Sequence, residues 1–279
     1  MHTANVTVER GIGRTSSGLA YEVAGSGPAL VLVHAGVADR RMWDRQWPEF
    51  AANHRVVRYD LRGYGETLPP AAAWSHYADL LSVFDELGIG RASIVGVSVG
   101  AGIAVEAALA RPDAVASLVL AAPGGALFGD DTDDLRSVWH DEVEALDRGD
   151  FDEAVEVNLR AWVDGPQRSP EAVAPDVRSF VGRMQRDAFE LPEWDAERAP
   201  ETELEPPSAG RLNEVGSPTL VVVGEDDQPA TRRAAERVGA AVPDVELVAW
   251  PGVAHMLTLE RPVAFAQLAL DFLARHPAG

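Results

Sequence analysis

The sequence predicts an α/β fold built on a mostly parallel sheet of about eight strands that is flanked by helices. Short runs rich in valine, leucine and isoleucine alternate along the chain with longer amphipathic stretches. Most of the short runs are almost continuously apolar, which is typical of strands that are buried on both faces of a parallel sheet. The chain has 279 residues, of which 46% are hydrophobic and 24% are charged, so it can bury a large core.

Two alternating segments near the start of the chain flank a turn rich in glycine and serine, and together they predict a hairpin-like beginning. Apolar runs then follow, separated by stretches whose apolar residues recur at helical spacing. The predicted strands are Val6–Glu9, Leu19–Val23, Ala29–His34, Val56–Asp60, Ser93–Val97, Ser117–Ala121, Leu220–Val223 and Val245–Ala249. The predicted helices between them are Ser75–Leu87, Ala101–Ala110, Ala230–Val242 and Pro262–Ala274.

The interval from 124 to 212 departs from this alternation, because it contains no convincing strand. The interval is also strongly acidic, with 23 acidic residues against 9 arginines. Apolar faces at helical spacing predict helices there, over Asp133–Asp147, Phe151–Trp162 and Pro170–Phe189. We therefore expect a core domain made of residues 1–123 and 213–279, with 124–212 inserted as a helical cap. A solvated acidic connector is the alternative.

The charge of the chain argues against two classes of partner. All 24 basic residues are arginines and 44 residues are acidic, which gives a formal net charge of −20. Nucleic acids and anionic membrane surfaces both bind to basic protein surface, so neither is expected as a partner. The expected partner is a small-molecule substrate, and the sequence does not indicate an oligomeric state.

Several chemistries are excluded or disfavoured by what the sequence lacks. There are no cysteines, which excludes disulfides, thiolate nucleophiles and cysteine-ligated metals. The sequence has no histidine-rich cluster and no strand-linked Gly-x-Gly-x-x-Gly motif, so no metal and no cofactor are expected. The first residues show neither the basic nor the apolar region of a signal peptide. The longest apolar run, Ala92–Val105, is shorter than the ~18 residues that span a bilayer, so a cytoplasmic protein is expected.

The strongest local feature is the segment Gly96-Val97-Ser98-Val99-Gly100, which lies between a predicted strand and a predicted helix. A serine at such a turn adopts a strained backbone, and glycines two positions away on each side let the neighbouring chain approach closely. The turn places the hydroxyl at the carboxyl end of the sheet, where the N-terminus of the helix favours developing negative charge. Ser98 is therefore the candidate nucleophile, and a glycine-rich packing turn is the alternative.

A serine nucleophile needs a general base and an acid that orients this base. His255 lies in the loop after the last predicted strand and is the candidate base. The segment Gly224-Glu225-Asp226-Asp227 follows the preceding strand. Asp227 is the candidate acid, and Asp226 is the alternative. The order Ser98, Asp227, His255 is the order found in triads built on a nucleophile elbow.

Backbone N–H groups that can stabilise an oxyanion are expected at two places. One belongs to Val99, directly after the candidate nucleophile, and the other belongs to Gly36, in the loop after the strand Ala29–His34. Glycine at this position lets the backbone approach a substrate oxygen closely. His34, at the end of that strand, is interpreted as a buried structural histidine and not as a base.

These residues resemble the α/β-hydrolase superfamily from about Leu19 to Leu273. Besides the elbow, His34-Ala35-Gly36 is similar to the family's His-Gly oxyanion loop, although Ala35 stands where a glycine is usual. The segment Asp60-Leu61-Arg62-Gly63-Tyr64-Gly65 is similar to the family's Asp-x-Arg-Gly-x-Gly turn. The resemblance implies an α/β-hydrolase fold in which the interval 124–212 covers the active site.

Within the superfamily, the chain most resembles small carboxylesterases and 3-oxoadipate enol-lactonase-like hydrolases. This resemblance implies a cofactor-independent serine hydrolase that cleaves a carboxylic ester or lactone through an acyl-enzyme on Ser98. The acidic cap is expected to repel a dianionic substrate, although Arg160, Arg168, Arg183 and Arg186 could offset this repulsion locally. A neutral, moderately apolar substrate is therefore expected.

Two alternative functions remain open, because one fold can host several. A carbon–carbon bond hydrolase or lyase would use the same triad, and a ligand-sensing α/β-hydrolase would bind a signal with slow or no turnover. Trp139 and Trp162, in the predicted cap, are candidates for lining the substrate pocket. Aromatic residues at helical spacing more often belong to an ordinary core.

Overall fold

The computed structural model describes residues 11–129, 132–192, 197 and 199–278. Its centre is an eight-stranded sheet with the strand order β1-β2-β4-β3-β5-β6-β7-β8. The strands are β1 (Gly11–Arg14), β2 (Ala20–Ala24), β3 (Ala29–Val33), β4 (Arg55–Tyr59), β5 (Ala92–Val97), β6 (Val115–Ala121), β7 (Thr219–Gly224) and β8 (Val245–Trp250).

The sheet is mostly parallel, as the sequence predicts. β1 pairs with β2, and β2 with β4, in antiparallel fashion, whereas the pairs from β4 through β3 to β8 are parallel. The strand predicted over Val6–Glu9 lies outside the described residues, and the hairpin at the start of the sheet is formed by β1 and β2. β5, β6 and β7 are buried along their whole length, which explains their continuous apolar sequences.

Helices cover both faces of the sheet. They are α1 (Trp47–Ala51), α2 (His76–Glu86), α3 (Val99–Ala110), α4 (Asp133–Asp147), α5 (Phe151–Asn158), α6 (Pro175–Phe189), α7 (Pro229–Ala241), α8 (Leu257–Glu260) and α9 (Pro262–Arg275). α2, α3 and α7 pack on one face, and α1 and α9 pack on the other, so each face has its own apolar layer. None of the described helices combines the length and the apolar composition needed to cross a membrane.

Two helix boundaries between β6 and β7 differ from the sequence prediction. The helix expected to run to Trp162 passes into a π-helical turn over Leu159–Asp164. The helix expected from Pro170 onward is divided into a short 3₁₀ turn and α6, which begins at Pro175. Proline has no N–H to continue a helical ladder of hydrogen bonds, but it is well suited to the first position of a helix. Pro175 therefore begins a new helix.

The chain returns to the sheet through an irregular segment, 199–212, which we call the return segment. Its first part is bound to the residues that precede α2. The N–H of Trp74 donates a hydrogen bond of 3.1 Å to the carbonyl oxygen of Pro200, and the N–H of Thr202 donates one of 2.7 Å to that of Trp74. These bonds hold the return segment beside the carboxyl edge of the sheet.

Candidate active site

Ser98 occupies a sharp turn between β5 and α3. Its backbone has φ 56° and ψ −118°, and a positive φ is strained for a residue that carries a side chain. A Cβ on Gly96 would lie 2.2 Å from the carbonyl oxygen of Gly100, and one on Gly100 would lie 2.5 Å from that of Val33. Strand, turn and helix therefore pack backbone against backbone, which only glycine permits at these two positions.

His255 and Asp227 are in direct contact. Nδ1 of His255 lies 3.0 Å from each carboxylate oxygen of Asp227, and both side chains are almost completely buried. The N–H of Gln228 donates a hydrogen bond of 2.7 Å to Oδ1 of Asp227. A carboxylate in this position favours the Nδ1–H tautomer of the imidazole and leaves Nε2 able to accept a proton. Asp226 is partly exposed, and its side chain makes no described contact with His255.

Backbone contacts hold together the two loops that carry this pair. The N–H of Asp226 donates a hydrogen bond of 3.1 Å to the carbonyl oxygen of Val253. A Cβ on Gly224 would lie only 2.3 Å from that same oxygen. The loop after β7 and the loop after β8 therefore touch at the carboxyl edge of the sheet, which explains how residues 28 positions apart meet.

An ion pair braces the His255 loop from the opposite side. Glu260, at the end of α8, accepts a hydrogen bond of 3.0 Å from the N–H of Ala254. Arg168 donates hydrogen bonds of 2.8 and 2.9 Å to the two carboxylate oxygens of Glu260, and one of 3.3 Å to the carbonyl oxygen of Gly252. The side chains of both partners are only 10% exposed. This pair ties the histidine loop to the interval 124–212.

Gly36 and Val99 lie next to each other. A Cβ on Gly36 would lie 3.6 Å from Cγ1 of Val99 and 3.5 Å from Oη of Tyr64. Val99 is the first residue of α3, where helical N–H groups have no acceptor within the helix. Its N–H is therefore available to a substrate oxygen beside the loop that contains Gly36.

His34 is a fully buried structural residue, as interpreted from the sequence. Its Nδ1 lies 2.8 Å from the carbonyl oxygen of Ala35, and its Nε2 accepts a hydrogen bond of 2.9 Å from the N–H of Leu61. Burial lowers the pKa of His34, so the ring stays neutral and Nε2 can accept. Nε2 therefore joins the loop that contains Gly36 to the turn that follows β4, and Nδ1 is used within that loop.

That turn is organised by the carboxylate of Asp60. Its Oδ1 accepts a hydrogen bond of 2.9 Å from the N–H of Arg40, and its Oδ2 accepts one of 2.8 Å from the N–H of Glu66. A Cβ on Gly65, where φ is +53°, would clash with this carboxylate. The aspartate and the last glycine of the Asp-x-Arg-Gly-x-Gly segment thus fold the loop that presents Tyr64 beside Gly36.

The candidate nucleophile, the candidate base and both candidate oxyanion residues line one cavity of about 760 Å³. Its walls come from the carboxyl edge of the sheet and from the interval 124–212. Trp162 lies in the π-helical turn, and its ring centre is 4.7 Å from that of His255. Trp139, on α4, also lines the cavity and is 38% exposed. Asp227 lies behind the imidazole and not in the cavity wall.

Sequence reasoning missed acidic residues in the cavity wall. Glu106 on α3, Glu142 on α4 and Glu203 on the return segment line the cavity. Burial raises the pKa of Glu106 to about 7, and burial also raises the pKa of Glu142. One signal could have identified Glu106, since it is the single charged residue in the apolar sequence of α3. Among the described residues, no group of three or more histidine or acidic side chains is placed to hold a metal ion.

The four arginines that could offset the charge of the cap are occupied elsewhere. Arg168 binds Glu260, Arg160 pairs with Glu153 and Glu156, Arg186 pairs with Asp152 and Glu190, and Arg183 lies over the ring of Phe180. None of the four is among the described residues that line the cavity. No arginine is therefore placed in the described cavity wall to offset the carboxylates that line it.

The chain is similar in sequence and in structure to known proteins. The Alpha/beta hydrolase family matches residues 30–268. Strigolactone esterase D14 of Arabidopsis thaliana is 28% identical over 92% of this chain and 97% of its own. The 2-hydroxy-6-oxo-6-phenylhexa-2,4-dienoate hydrolase of Burkholderia cepacia is 27% identical over 90% of this chain and 89% of its own. The enol-lactonase from Burkholderia xenovorans LB400 has a similar structure, with a TM-score of 0.76 and 21% identity over 95% of this chain and 100% of that chain. Because the family match covers most of the chain and the architecture agrees with it, this chain belongs to the α/β-hydrolase family.

Proposed function

We propose that the protein is a cofactor-independent serine hydrolase that cleaves a carboxylic ester or a lactone. One observation supports this most directly. The imidazole of His255, held by the carboxylate of Asp227, lines the same cavity as the strained turn that carries Ser98. An imidazole that is oriented by an acid and lies beside a serine on a strand-to-helix turn is suited to acyl transfer.

In the first half of the proposed reaction, Oγ of Ser98 attacks the carbonyl carbon while Nε2 of His255 takes the hydroxyl proton. The carboxylate of Asp227 accepts a hydrogen bond from the Nδ1–H of the imidazolium and stabilises its charge. The N–H groups of Val99 and Gly36 bind the oxyanion, and losing one such donor typically costs ~2.7–4 kcal/mol of transition-state stabilisation. The imidazolium then gives its proton to the leaving alkoxide, which produces an acyl-enzyme.

In the second half, water attacks the acyl carbon and gives a proton to Nε2 of His255. The second tetrahedral intermediate collapses, the carboxylic acid leaves, and Oγ of Ser98 recovers its proton from the imidazolium. One water is consumed for each ester cleaved, and no electrons are exchanged. For a lactone, the alcohol and the acid leave as one molecule.

Residues 124–212 act in this proposal as a helical cap on the core formed by 1–123 and 213–279. Two contacts support this division. Nε2 of Gln228, beside the candidate acid, donates a hydrogen bond of 2.8 Å to the carbonyl oxygen of Ala161. A Cβ on Gly165 would lie 2.4 Å from the carbonyl oxygen of Asp226. The π-helical turn thus sits directly on the loop that carries the acid, and it brings an aromatic wall to the cavity.

The cavity also favours some substrates over others. Trp139 and Trp162 provide apolar surface for the acyl or alcohol group, and the carboxylates of the wall repel an anion. An uncharged, moderately apolar ester or lactone group therefore fits beside Ser98. The relative named as a dienoate hydrolase supports a carbon–carbon bond hydrolase as the second candidate. The acidic wall disfavours this candidate, because a dienoate carries a carboxylate.

Replacing Ser98 with alanine tests the proposal. Ser98→Ala is expected to lower the turnover of p-nitrophenyl butyrate by at least three orders of magnitude, because the acyl-enzyme can no longer form. It should also abolish labelling by a fluorophosphonate probe. Ser137→Ala, at an exposed position on α4, is the matched control and should keep both properties. Full esterase activity in the Ser98 variant would refute the mechanism.

The same samples separate the alternative functions. Rapid cleavage of a dienoate ring-cleavage product with negligible ester turnover would favour the carbon–carbon bond hydrolase. Fluorophosphonate labelling without turnover of any ester or lactone in a panel would favour a ligand sensor, since some such proteins keep an intact triad. Turnover of esters that is lost in the Ser98 variant supports the serine hydrolase.

A further inference from the structure

The cavity beside Ser98 carries negative charge that no described arginine neutralises. Glu106, Glu142 and Glu203 line it, and no arginine is among its described lining residues. Buried carboxylates are normally paired with a cation or bound by several donors. Of the three, Glu106 is buried, Glu142 is half-buried and accepts a hydrogen bond from Nδ2 of Asn158, and Glu203 is exposed. The cost of burying an unpaired charge therefore falls mainly on Glu106, and a positively charged occupant would reduce it.

The lack of a paired cation is clearest at Glu106, which is only 8% exposed. The N–H of Leu204 donates a hydrogen bond to it, and its charged neighbours are the carboxylates of Glu203 and Glu201. Each of these neighbours disfavours the ionised form of Glu106. A cation bound between α3 and the return segment would remove this cost, since it would pair with several carboxylates at once.

Two polar groups in the wall lack hydrogen-bond partners among the described residues. Ser208 lines the cavity and is 1% exposed, and its Oγ has no partner among the described residues. His76 also lines the cavity, and its Nδ1 is buried and unpaired in the described part of the chain. Buried polar atoms in folded proteins nearly always have a partner. These two atoms are therefore a second indication, independent of the carboxylates, that the wall receives a polar ligand group.

Aromatic rings complete a surface suited to an ammonium ion. Trp139, Trp162 and Phe128 line the same cavity as the carboxylates. The face of an aromatic ring attracts a cation, and quaternary ammonium groups are commonly recognised by aromatic rings.

We propose that the substrate is an ester or lactone that carries an ammonium group, bound by Glu106, Glu142 and Glu203 while the carbonyl group reaches Ser98. This inference rests on the proposed esterase function and narrows its substrate class. Glu106 lies eight residues beyond Ser98, which corresponds to about 12 Å along the axis of α3. The ammonium group is therefore separated from the carbonyl carbon by a flexible spacer of several atoms, and only the reacting part of the substrate is uncharged.

The proposal predicts a characteristic dependence on pH. Burial, together with Glu203 and Glu201, raises the pKa of Glu106 to about 7. Glu106 is therefore mostly neutral below this pH and mostly ionised above it. Preference for a permanently cationic substrate is expected to grow as the pH rises through about 7. Ionisation of Glu142 is expected to increase the preference for the cation in the same direction, because burial also raises the pKa of Glu142.

Other titratable groups in the wall do not produce this change. Burial lowers the pKa of His76 to about 4 and raises the pKa of Tyr64 to about 12, so both stay neutral between pH 6 and 9. The two esters share the same reacting group, so comparing them at each pH separates the preference for charge from changes in the rate of the chemical step.

Two esters of equal shape provide the test. p-Nitrophenyl 6-(trimethylammonio)hexanoate carries a charge that does not depend on pH, and p-nitrophenyl 7,7-dimethyloctanoate is its neutral isostere. The ratio of their kcat/KM values is measured from pH 6 to 9. We expect a ratio of at least tenfold in favour of the cation at pH 8, and a several-fold smaller ratio at pH 6.

Substitutions of the glutamates then test whether the cavity wall causes the preference for the cationic ester. Glu106→Gln and Glu142→Gln should each lower the ratio at pH 8 by threefold or more, and Glu106→Gln should flatten its dependence on pH. Measurable turnover of the neutral isostere shows that each variant is folded. Glu236→Gln, at an exposed position on α7, is the matched control and should keep the wild-type ratio and activity.

The outcomes separate this inference from the proposed function. If the neutral isostere is cleaved as fast as the cation or faster, the esterase function stands and the ammonium site is overturned. If the cation is preferred but neither glutamate substitution lowers the ratio, the assignment to this wall is also overturned. If neither ester is cleaved and no other ester is, the proposed function fails, and the inference fails with it.

Discussion

Ser98 and Ala122 are the two described residues other than glycine that have a positive φ. They follow β5 and β6, which are neighbours in the sheet. The N–H of Ser98 donates a hydrogen bond of 3.0 Å to the carbonyl oxygen of Ala121, and the N–H of Ala122 donates one of 2.7 Å to that of Val222. Such backbone conformations cost about 1–3 kcal/mol each. These hydrogen bonds between the ends of adjacent strands offset this cost. The strained conformation of Ser98 is therefore held by the neighbouring strands at this edge of the sheet.

The burial of Glu106 predicts how the stability of the protein depends on pH. Burial raises its pKa from an ordinary 4.5 to about 7, so the folded state binds this proton more tightly than the unfolded state. Its contribution to the free energy of unfolding therefore decreases as the pH rises between these two values, and stays low above them. Glu106→Gln removes the buried charge. It should raise the Tm by a few degrees at pH 8 and change it little at pH 4.

Differential scanning calorimetry at several pH values measures this effect. Other titrating groups are shared by the two proteins, so the difference in Tm isolates Glu106. Glu236→Gln, which neutralises an exposed glutamate on α7, should show no comparable gain at pH 8. A Tm difference for Glu106→Gln that is the same at pH 4 and pH 8 would contradict the assignment.

The loop between β8 and α8 positions His255, and the pair of Arg168 and Glu260 holds this loop. Removing one partner of a buried ion pair typically costs about 3–5 kcal/mol, because the other charge remains buried without a partner. Arg168→Met is therefore expected to lower the Tm clearly. It should also lower kcat for an ester more than it changes KM, because the imidazole would lose its fixed position while the rest of the cavity is kept.

Two further variants show whether the pair acts as a unit. Arg168→Met combined with Glu260→Gln should recover part of the lost stability, because no unpaired charge is left. Arg148→Met removes an exposed partner of Glu144 on α4, where ion pairs contribute little, and it should leave both the Tm and kcat almost unchanged. Equal losses in the Arg168 and Arg148 variants would show that the loop does not depend on this pair.

The charge of the whole molecule affects its stability through repulsion. The formal net charge is −20, and the interval 124–212 holds 23 acidic residues and 9 arginines. Salt screens repulsion between exposed charges over about 10 Å at 0.1 M ionic strength. The Tm is therefore expected to rise by several degrees between 10 mM and 0.5 M sodium chloride.

A variant with fewer acidic residues tests this cause. Asp141→Asn combined with Asp147→Asn removes two exposed charges from α4. It should raise the Tm at low salt and make the Tm less sensitive to salt. A wild-type Tm that falls as salt is added would show that screened ion pairs matter more than repulsion.

Much of this architecture could be predicted from local patterns. The continuous apolar sequences of β5, β6 and β7 indicated buried parallel strands, and the eight-stranded sheet confirms them. The glycines around Ser98 predicted a sharp turn, because close backbone contacts leave no room for a Cβ. The predicted end of the helix near Trp162 was wrong, because a π-helical turn follows α5 there. That turn contacts the loop after β7, and such distant contacts are not visible in local sequence patterns.

The sequence alone showed that a serine, an aspartate and a histidine, the candidate triad Ser98, Asp227 and His255, each follow a strand of one parallel sheet. It could not show which of the arginines face the cavity, or that Glu106, Glu142 and Glu203 all line its wall. These residues belong to three segments far apart in the chain, and their directions depend on how the helices of 124–212 pack on the sheet. Periodicity shows which face of a helix is apolar, but only packing between distant segments decides what the polar face meets.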